Sequence, residues 1–121
     1  MTDMLVKLYD LPLNWSFIQE QAARGITIRK PIGPEKHFIE NWVRSVFSDV
    51  WASEVDVATN HHPPTVFIST EAGQLTGFGC YDATALGFFG PIGVAEPYRG
   101  NGTGRALLMA CLLDMKLKGY G

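Results

Sequence analysis

The chain has 121 residues, 46% of them hydrophobic and 12% aromatic, which is enough for one core and too little for two, so residues 1–121 are expected to form a single domain. Ten basic and twelve acidic residues leave a formal charge of -2 with no block of one sign, which argues against a nucleic-acid partner. Asp3, Lys7 and Asp10 interrupt the amino terminus, so neither a signal peptide nor a membrane span is read there and a soluble cytoplasmic protein is expected.

Taken in chain order, Asn14 to Gly25 predicts a helix, with Asn14 or Ser16 as cap and Gly25 as its left-handed stop. Ile26 to Lys30 reads as a short strand. Pro34 and Glu35 then open a longer helix in which Phe38, Ile39, Trp42, Val43, Val46, Phe47, Val50 and Trp51 form one wide apolar stripe. Lys36, Glu40, Arg44, Ser48 and Asp49 occupy the opposite face. Helical character is expected to continue through Ala52 to Ala58, until His61-His62-Pro63-Pro64 ends it.

Two strands follow, Thr65 to Thr70 and Gln74 to Tyr81, joined across Glu71-Ala72-Gly73 as an antiparallel hairpin. After a turn at Asp82 to Thr84, a third strand is predicted from about Leu86 to Val94. Gly90, Pro91 and Gly93 are poor strand formers and imply a bulge there, or the close approach of another backbone or a ligand. The final helix spans Arg105 to Lys118, and its unbroken apolar run Leu107 to Leu113 must be largely buried. Asp114 and Lys118 are spaced to pair at i, i+4. Cys80 and Cys111 match no metal or redox spacing and read as buried free thiols. Trp15, Trp42, Trp51 and Tyr81 are read first as core residues.

The chemistry-bearing segment is Val94-Ala95-Glu96-Pro97-Tyr98-Arg99-Gly100-Asn101-Gly102-Thr103-Gly104-Arg105. Three alternate glycines allow the backbone to turn its N–H groups inward around a phosphate, while the helix start adds unsatisfied amides and Arg99 and Arg105 add positive charge. A dinucleotide fingerprint would need glycine where Arg105 or Leu107 stands. A Walker loop would need a Gly-Lys pair that the chain lacks.

The segment does resemble the signature of the GNAT (Gcn5-related N-acetyltransferase) superfamily: Arg or Gln, two residues, Gly, one residue, then Gly or Ala, after a strand ending in Val-x-x-Pro. Arg99, Gly102 and Gly104 fill the required places. The resemblance runs from the hairpin to Gly121, and more loosely from Ile26. It implies an α/β (α+β) fold, a mixed and mainly antiparallel sheet flanked by helices, and transfer of an acetyl group from acetyl-CoA to a primary amine of a small molecule or peptide. It also implies that the pyrophosphate sits on the amides of Gly100, Asn101, Gly102, Thr103, Gly104 and Arg105, with Arg99 beside them. The pantetheine arm would pair like an extra strand with Ile92, Gly93 and Val94, and a backbone N–H near Val94 would polarise the thioester carbonyl. No metal is expected.

Members of the superfamily normally continue with a further strand, helix and hairpin, so the expected fold lacks that carboxy-terminal part. The strand ending at Val94 should then be an open edge that favours self-association, unless the segment Met4 to Leu11 folds back over it. The superfamily often places a carboxylate on this strand, and Leu86 to Val94 contains none. Glu54, Asp56 and Asp82 are the remaining candidate bases, each read first as a solvated surface charge, and Glu96 lies on the phosphate side. His61 and His62 have no third ligand at a useful spacing and read as a polar loop. Two functions of different class follow: an N-acetyltransferase, or a noncatalytic CoA-binding or assembly module derived from one.

Overall fold

Strands β2 (Val66–Glu71) and β3 (Gln74–Tyr81) form the hairpin that organises the sheet. Its two-residue turn needs left-handed backbone at both positions, and Ala72 and Gly73 supply it with φ of +50° and +77°. β1 (Ile26–Arg29) adds to the outer side of β2, and β4 (Phe89–Val94) to the outer side of β3, giving an antiparallel sheet in the order β1-β2-β3-β4. These elements belong to a computed structural model that describes residues 14–119. The segment Met4 to Leu11, expected as cover for an open edge, lies outside the described residues. Among the described residues β4 has a partner strand on one side only.

Both faces of the sheet are covered, which is why nearly every residue of β2 and β3 is buried whichever way it points. One face carries α4 (Thr103–Leu117) and α1 (Ser16–Ala23). Leu107, Ala110, Cys111 and Met115 pack there with Ile26, Ile28, Phe67 and Tyr81. The other carries α2 (Lys36–Val46) and α3 (Asp49–Thr59), whose Ile39, Val43, Ala52 and Val55 meet Val66, Ile68, Phe78 and Cys80. Cys80 and Cys111 are free and buried, one in each layer, and burial raises both thiols well above their ordinary range. No helix among the described residues is long and apolar enough to cross a membrane.

The single long helix expected from Pro34 to Ala58 is two helices. The ladder of α2 ends at Phe47, and Ser48, in extended backbone, caps α3 by accepting the Trp51 N–H at 3.1 Å. The corner turns Phe47 and Trp51 onto Phe78, with ring centroids 5.5 and 5.8 Å away. Phe38, Val46 and Val50 are left in solvent at 67%, 42% and 69% exposure, so the predicted stripe splits. Glu40, assigned to the solvated face, is instead buried between α2 and α3. That burial first, and the neighbouring Asp56 second, raise its carboxyl above the usual carboxylate range.

The third strand starts at Phe89, not Leu86, because the preceding turn is longer than expected. Gly87 donates its N–H to Asp82 Oδ1 at 2.7 Å, and Asp82 donates its own to the Phe88 carbonyl at 2.8 Å. The predicted bulge falls on Gly90-Pro91: β3 advances two residues from Gly79 to Tyr81 while β4 takes three from Ile92 to Phe89. Gly93 has a different reason from the backbone or ligand approach expected. A Cβ there would lie 2.7 Å from Phe47 Cζ and 3.0 Å from Trp51 Cζ3.

Asp114 does not pair with Lys118. It accepts the Tyr81 hydroxyl and an ion pair from Lys30 at 2.8 Å, tying α4 to β3 and the end of β1, while Lys118 lies over the Tyr81 ring at 5.2 Å. Burial, then the Asp114 contact, raises the Tyr81 phenol far above its usual range. The β1–α2 connection is closed by Glu35, whose carboxylate accepts two hydrogen bonds from Arg29, at 2.8 and 2.7 Å, and one from the Ile32 N–H at 2.9 Å. The Arg29 bonds, then the Ile32 bond, pull its pKa from 4.5 to about 2.

Two outcomes are expected. A carboxyl with a depressed folded-state pKa stabilises the fold above its unfolded value and loses that contribution as the pH falls towards about 2. The thermal midpoint of the native chain should therefore drop more than that of Glu35→Gln between pH 5 and pH 2; equal drops would show that the pair contributes nothing. Gly93→Ala should lower the free energy of unfolding by about 1–3 kcal/mol in urea melts, since the added carbon overpacks two rings. An unchanged midpoint would mean that Phe47 and Trp51 yield freely.

Candidate functional site

At the end of β4 the chain passes through a 3₁₀ turn, Glu96–Tyr98, into the glycine loop and α4. Gly100 and Gly102 have φ of +90° and +77°, a region that L side chains enter only with strain, so glycine is the residue this loop requires. Gly102 is the residue ahead of α4, and the first helical bond runs from the Ala106 N–H to the Gly102 carbonyl at 3.0 Å. The N–H groups of Thr103, Gly104 and Arg105 precede that ladder and form the positive end of the helix dipole. A cleft of about 320 Å³ opens on the first two, walled by Val94, Tyr98, Arg99, Gly100, Gly102, Thr103 and Gly104, whereas Arg105 lines a cleft of about 450 Å³ on the α1 side with Gln21 and Arg24.

Edge geometry of β4 decides which of its groups face outward. Ala95 donates its N–H to the Thr76 carbonyl of the β3 side at 2.8 Å, so by the alternation of an antiparallel ladder Gly93 also turns its polar groups towards β3. Ile92 and Val94 turn theirs to the open edge. Of the three residues expected to pair with an added strand, two can do so. Arg99 already takes one of those groups, its Nε donating to the Val94 carbonyl at 2.9 Å, which fixes the exposed guanidinium over the mouth of the cleft.

Two residues of the loop are tied to α1. Thr103 is 2% exposed, and its hydroxyl donates to Gln21 Oε1 at 2.8 Å, so only its backbone N–H faces the loop's ligand side. Asn101 is held through its carbonyl, which accepts from Gln21 Nε2 at 2.9 Å and from Arg24 Nη1 at 3.2 Å. Sequence reading missed Gln21 altogether. No local signal could have found it, because it lies 80 residues from Asn101 on a short helix with an otherwise exposed polar face.

The candidate bases are not gathered in one place. Glu54 is half-buried and accepts the Thr84 hydroxyl at 3.0 Å. Asp82 is not the solvated charge expected: it is 5% exposed and braces the 82–88 turn. Both reach that turn, next to the Phe89 end of β4. Asp56 pairs with Lys36 at 2.9 Å on the α2 side; the Lys36 bond first, then Glu40, lowers its pKa. His61 places Nε2 at 3.0 Å from the Asp82 carbonyl and so donates to it, holding the same turn. Among the described residues no group of three or more His, Cys, Asp or Glu could hold a metal ion.

A family profile described as the acetyltransferase (GNAT) family matches residues 35–121. Among solved structures, the chain is similar to the GNAT family N-acetyltransferase YhbS from Escherichia coli, crystallised with CoA, at 25% identity and a TM-score of 0.62, covering 78% of this chain and 58% of that one. It is also similar in fold to a GNAT family acetyltransferase from Brucella melitensis, crystallised with acetyl-CoA, at 20% identity and a TM-score of 0.61, covering 78% of this chain and 71% of that one. A third structure, a glucosamine N-acetyltransferase region within a fungal multi-domain β-N-acetylglucosaminidase, shares the fold at 14% identity and a TM-score of 0.70, covering 93% of this chain and 16% of that one. The chain thus spans little more than half the length of the E. coli protein. No curated protein sequence matches it.

The two loop glycines should respond oppositely to alanine. Gly104 is helical and a Cβ there would meet only Val94 Cγ2, at an ordinary 3.7 Å, so Gly104→Ala should raise the unfolding free energy by about 0.5–1 kcal/mol. Gly102→Ala should lower it by about 1 kcal/mol, the cost of a left-handed L residue. Denaturant melts showing the same sign for both would contradict this loop geometry.

Proposed function

The chain belongs to the acetyltransferase (GNAT) family, and from that premise we propose that it binds acetyl-CoA at the α4 amino terminus and transfers the acetyl group to a primary amine. The observation that carries the reading is the left-handed Gly102 ahead of a helix whose first amides open on the cleft beside Val94 and Tyr98. An anionic pyrophosphate suits those amides and the nearby Arg99 and Arg105 charges. Ile92 and Val94, with outward N–H groups on the β4 edge, suit a pantetheine arm laid along it as an added strand.

In this reading the amine nitrogen attacks the thioester carbon directly. The C–N bond forms as the C–S bond breaks, the CoA thiolate leaves and is protonated, and the ammonium intermediate gives up its proton. A backbone N–H on the β4 edge stabilises the oxygen where charge develops. Glu54 and Asp82, at the end of β4 away from the phosphate loop, are the carboxylates best placed to relay the amine proton through water. β4 itself carries none, and this favours, as the second reading, a module that binds CoA without turning it over.

Calorimetry with CoA tests the first step: saturable binding is expected, and no heat up to about 1 mM, equivalent to about -4 kcal/mol, would overturn the proposal. Gly102→Val should abolish that binding while Gly104→Ala retains it. Release of free thiol from acetyl-CoA in the presence of primary amines, from polyamines to lysine peptides, distinguishes the two readings. Tight binding with no thiol release across the series would leave the noncatalytic module.

A further inference from the structure

Helix α1 precedes residues 35–121, where the family profile matches, yet it grips the loop that profile contains. The contact is made by Gln21, 5% exposed. The Asn101 carbonyl can only accept, so the amide atom facing it at 2.9 Å is Nε2; this leaves Oε1 to accept the Thr103 hydroxyl at 2.8 Å. One buried side-chain amide is therefore satisfied at both ends, by the residues on either side of Gly102. Arg24, one turn further along, donates to the same Asn101 carbonyl at 3.2 Å. With two donors the carbonyl is held firmly towards α1.

The consequence follows from peptide geometry. Across the planar trans bond between Asn101 and Gly102 the C=O and N–H groups point in opposite directions. A carbonyl held towards α1 turns the Gly102 N–H away from it, towards the cleft side of the loop. A glycine at positive φ has other conformations of similar energy available to it, and without the clamp its peptide could rotate the amide out of use. Gly102 also has room for the clamp to fit closely: a Cβ on it would stand 3.6 Å from Gln21 Nε2.

We propose that Gln21 is a positioning residue for the acyl donor, holding the Asn101–Gly102 peptide so that the Gly102 amide is preorganised for the pyrophosphate of CoA. The assignment rests on the CoA reading above. It makes α1 a working part of the donor site, and it explains why a glutamine is buried in a helix whose other polar residues face solvent. Preorganisation of this kind acts on affinity, because the loop no longer has to be ordered when the ligand arrives.

Calorimetry with CoA on the native chain, Gln21→Met, Thr103→Val and the double variant tests this, with each thermal midpoint recorded in the absence of ligand. Gln21→Met keeps the buried volume and loses both hydrogen bonds; Thr103→Val keeps the backbone N–H and loses the hydroxyl. Each single change should weaken CoA by about tenfold in protein that remains folded, and the double change by little more than either, since both release the same clamp. A merely structural role would lower the midpoint and leave the affinity of the folded protein unchanged. If the native chain binds CoA and both single variants bind it equally well, the positioning role is overturned while the CoA reading stands. If the native chain binds no CoA, both fall together. Should Gln21→Met fail to fold, Thr103→Val alone decides, an unchanged affinity overturning the proposal.

Discussion

Helix α4 lies closely against the sheet over two glycines of β3, where side chains would otherwise stand. A Cβ at Gly77 would meet Leu107 Cδ1 at 3.1 Å and the Gly93 carbonyl at 3.0 Å, and one at Gly79 would touch Cys111 Sγ and Leu107 Cβ, each at 3.4 Å. Leu107 and Cys111, one turn apart on α4 and both fully buried, settle into the shallow groove these glycines leave. The helix axis is set by that contact, and with it the position of its first turn relative to β4. Everything at the candidate site inherits this placement, because the loop has only to bridge from the end of β4 to a helix start that is already fixed.

The site that results is made mainly of backbone. Its donors are amides at a helix start and on a strand edge, held by φ angles that glycine tolerates and by side chains that work from behind: Arg99 on the Val94 carbonyl, Gln21 and Arg24 on the Asn101 carbonyl. Such donors carry no titratable group and suit a ligand recognised for its phosphates and amides. The opposite face of the sheet has a different character. There Phe47 and Trp51 cover Gly93 and meet Phe78 edge-on, so the strand that borders the proposed donor path is backed by packed aromatic rings.

The family match begins at residue 35, but the described fold does not divide there. β1 pairs with β2 through Ile26 to Arg29, Lys30 reaches Asp114 in α4, and α1 packs its Phe17 and Ile18 against the same cluster as Leu107 and Ala110. The segment ahead of the match therefore contributes both to the core and to the holding of the loop. Two of the three connections, Lys30 to Asp114 and α1 to Leu107 and Ala110, join it to α4, the helix whose first turn borders the cleft.

Much of this was legible in residue pattern alone. The hairpin, the bulge at Gly90-Pro91, the buried helix and the glycine loop each announce themselves through local stereochemistry: left-handed turn residues, a proline in a strand, an apolar run too wide for a surface helix, and glycines ahead of a helix start. Those signals act over a few residues and survive without knowledge of the neighbours. What the pattern could not decide depends on contacts between distant parts of the chain. The apolar stripe of Phe38 to Trp51 runs on at helical spacing through the corner at Ser48, and only packing against Phe78 selects Phe47 and Trp51 to turn inward and leaves Val46 and Val50 outside. The partner of Asp114 is Lys30 and not Lys118, which is closer in sequence, because the carboxylate faces the Tyr81 hydroxyl on β3, where Lys30 also reaches it. Gln21 looks like an ordinary helix-surface residue until the fold brings Asn101 and Thr103 beside it, and a buried amide needs both of its hydrogen-bonding ends met, a demand that only the assembled chain can satisfy.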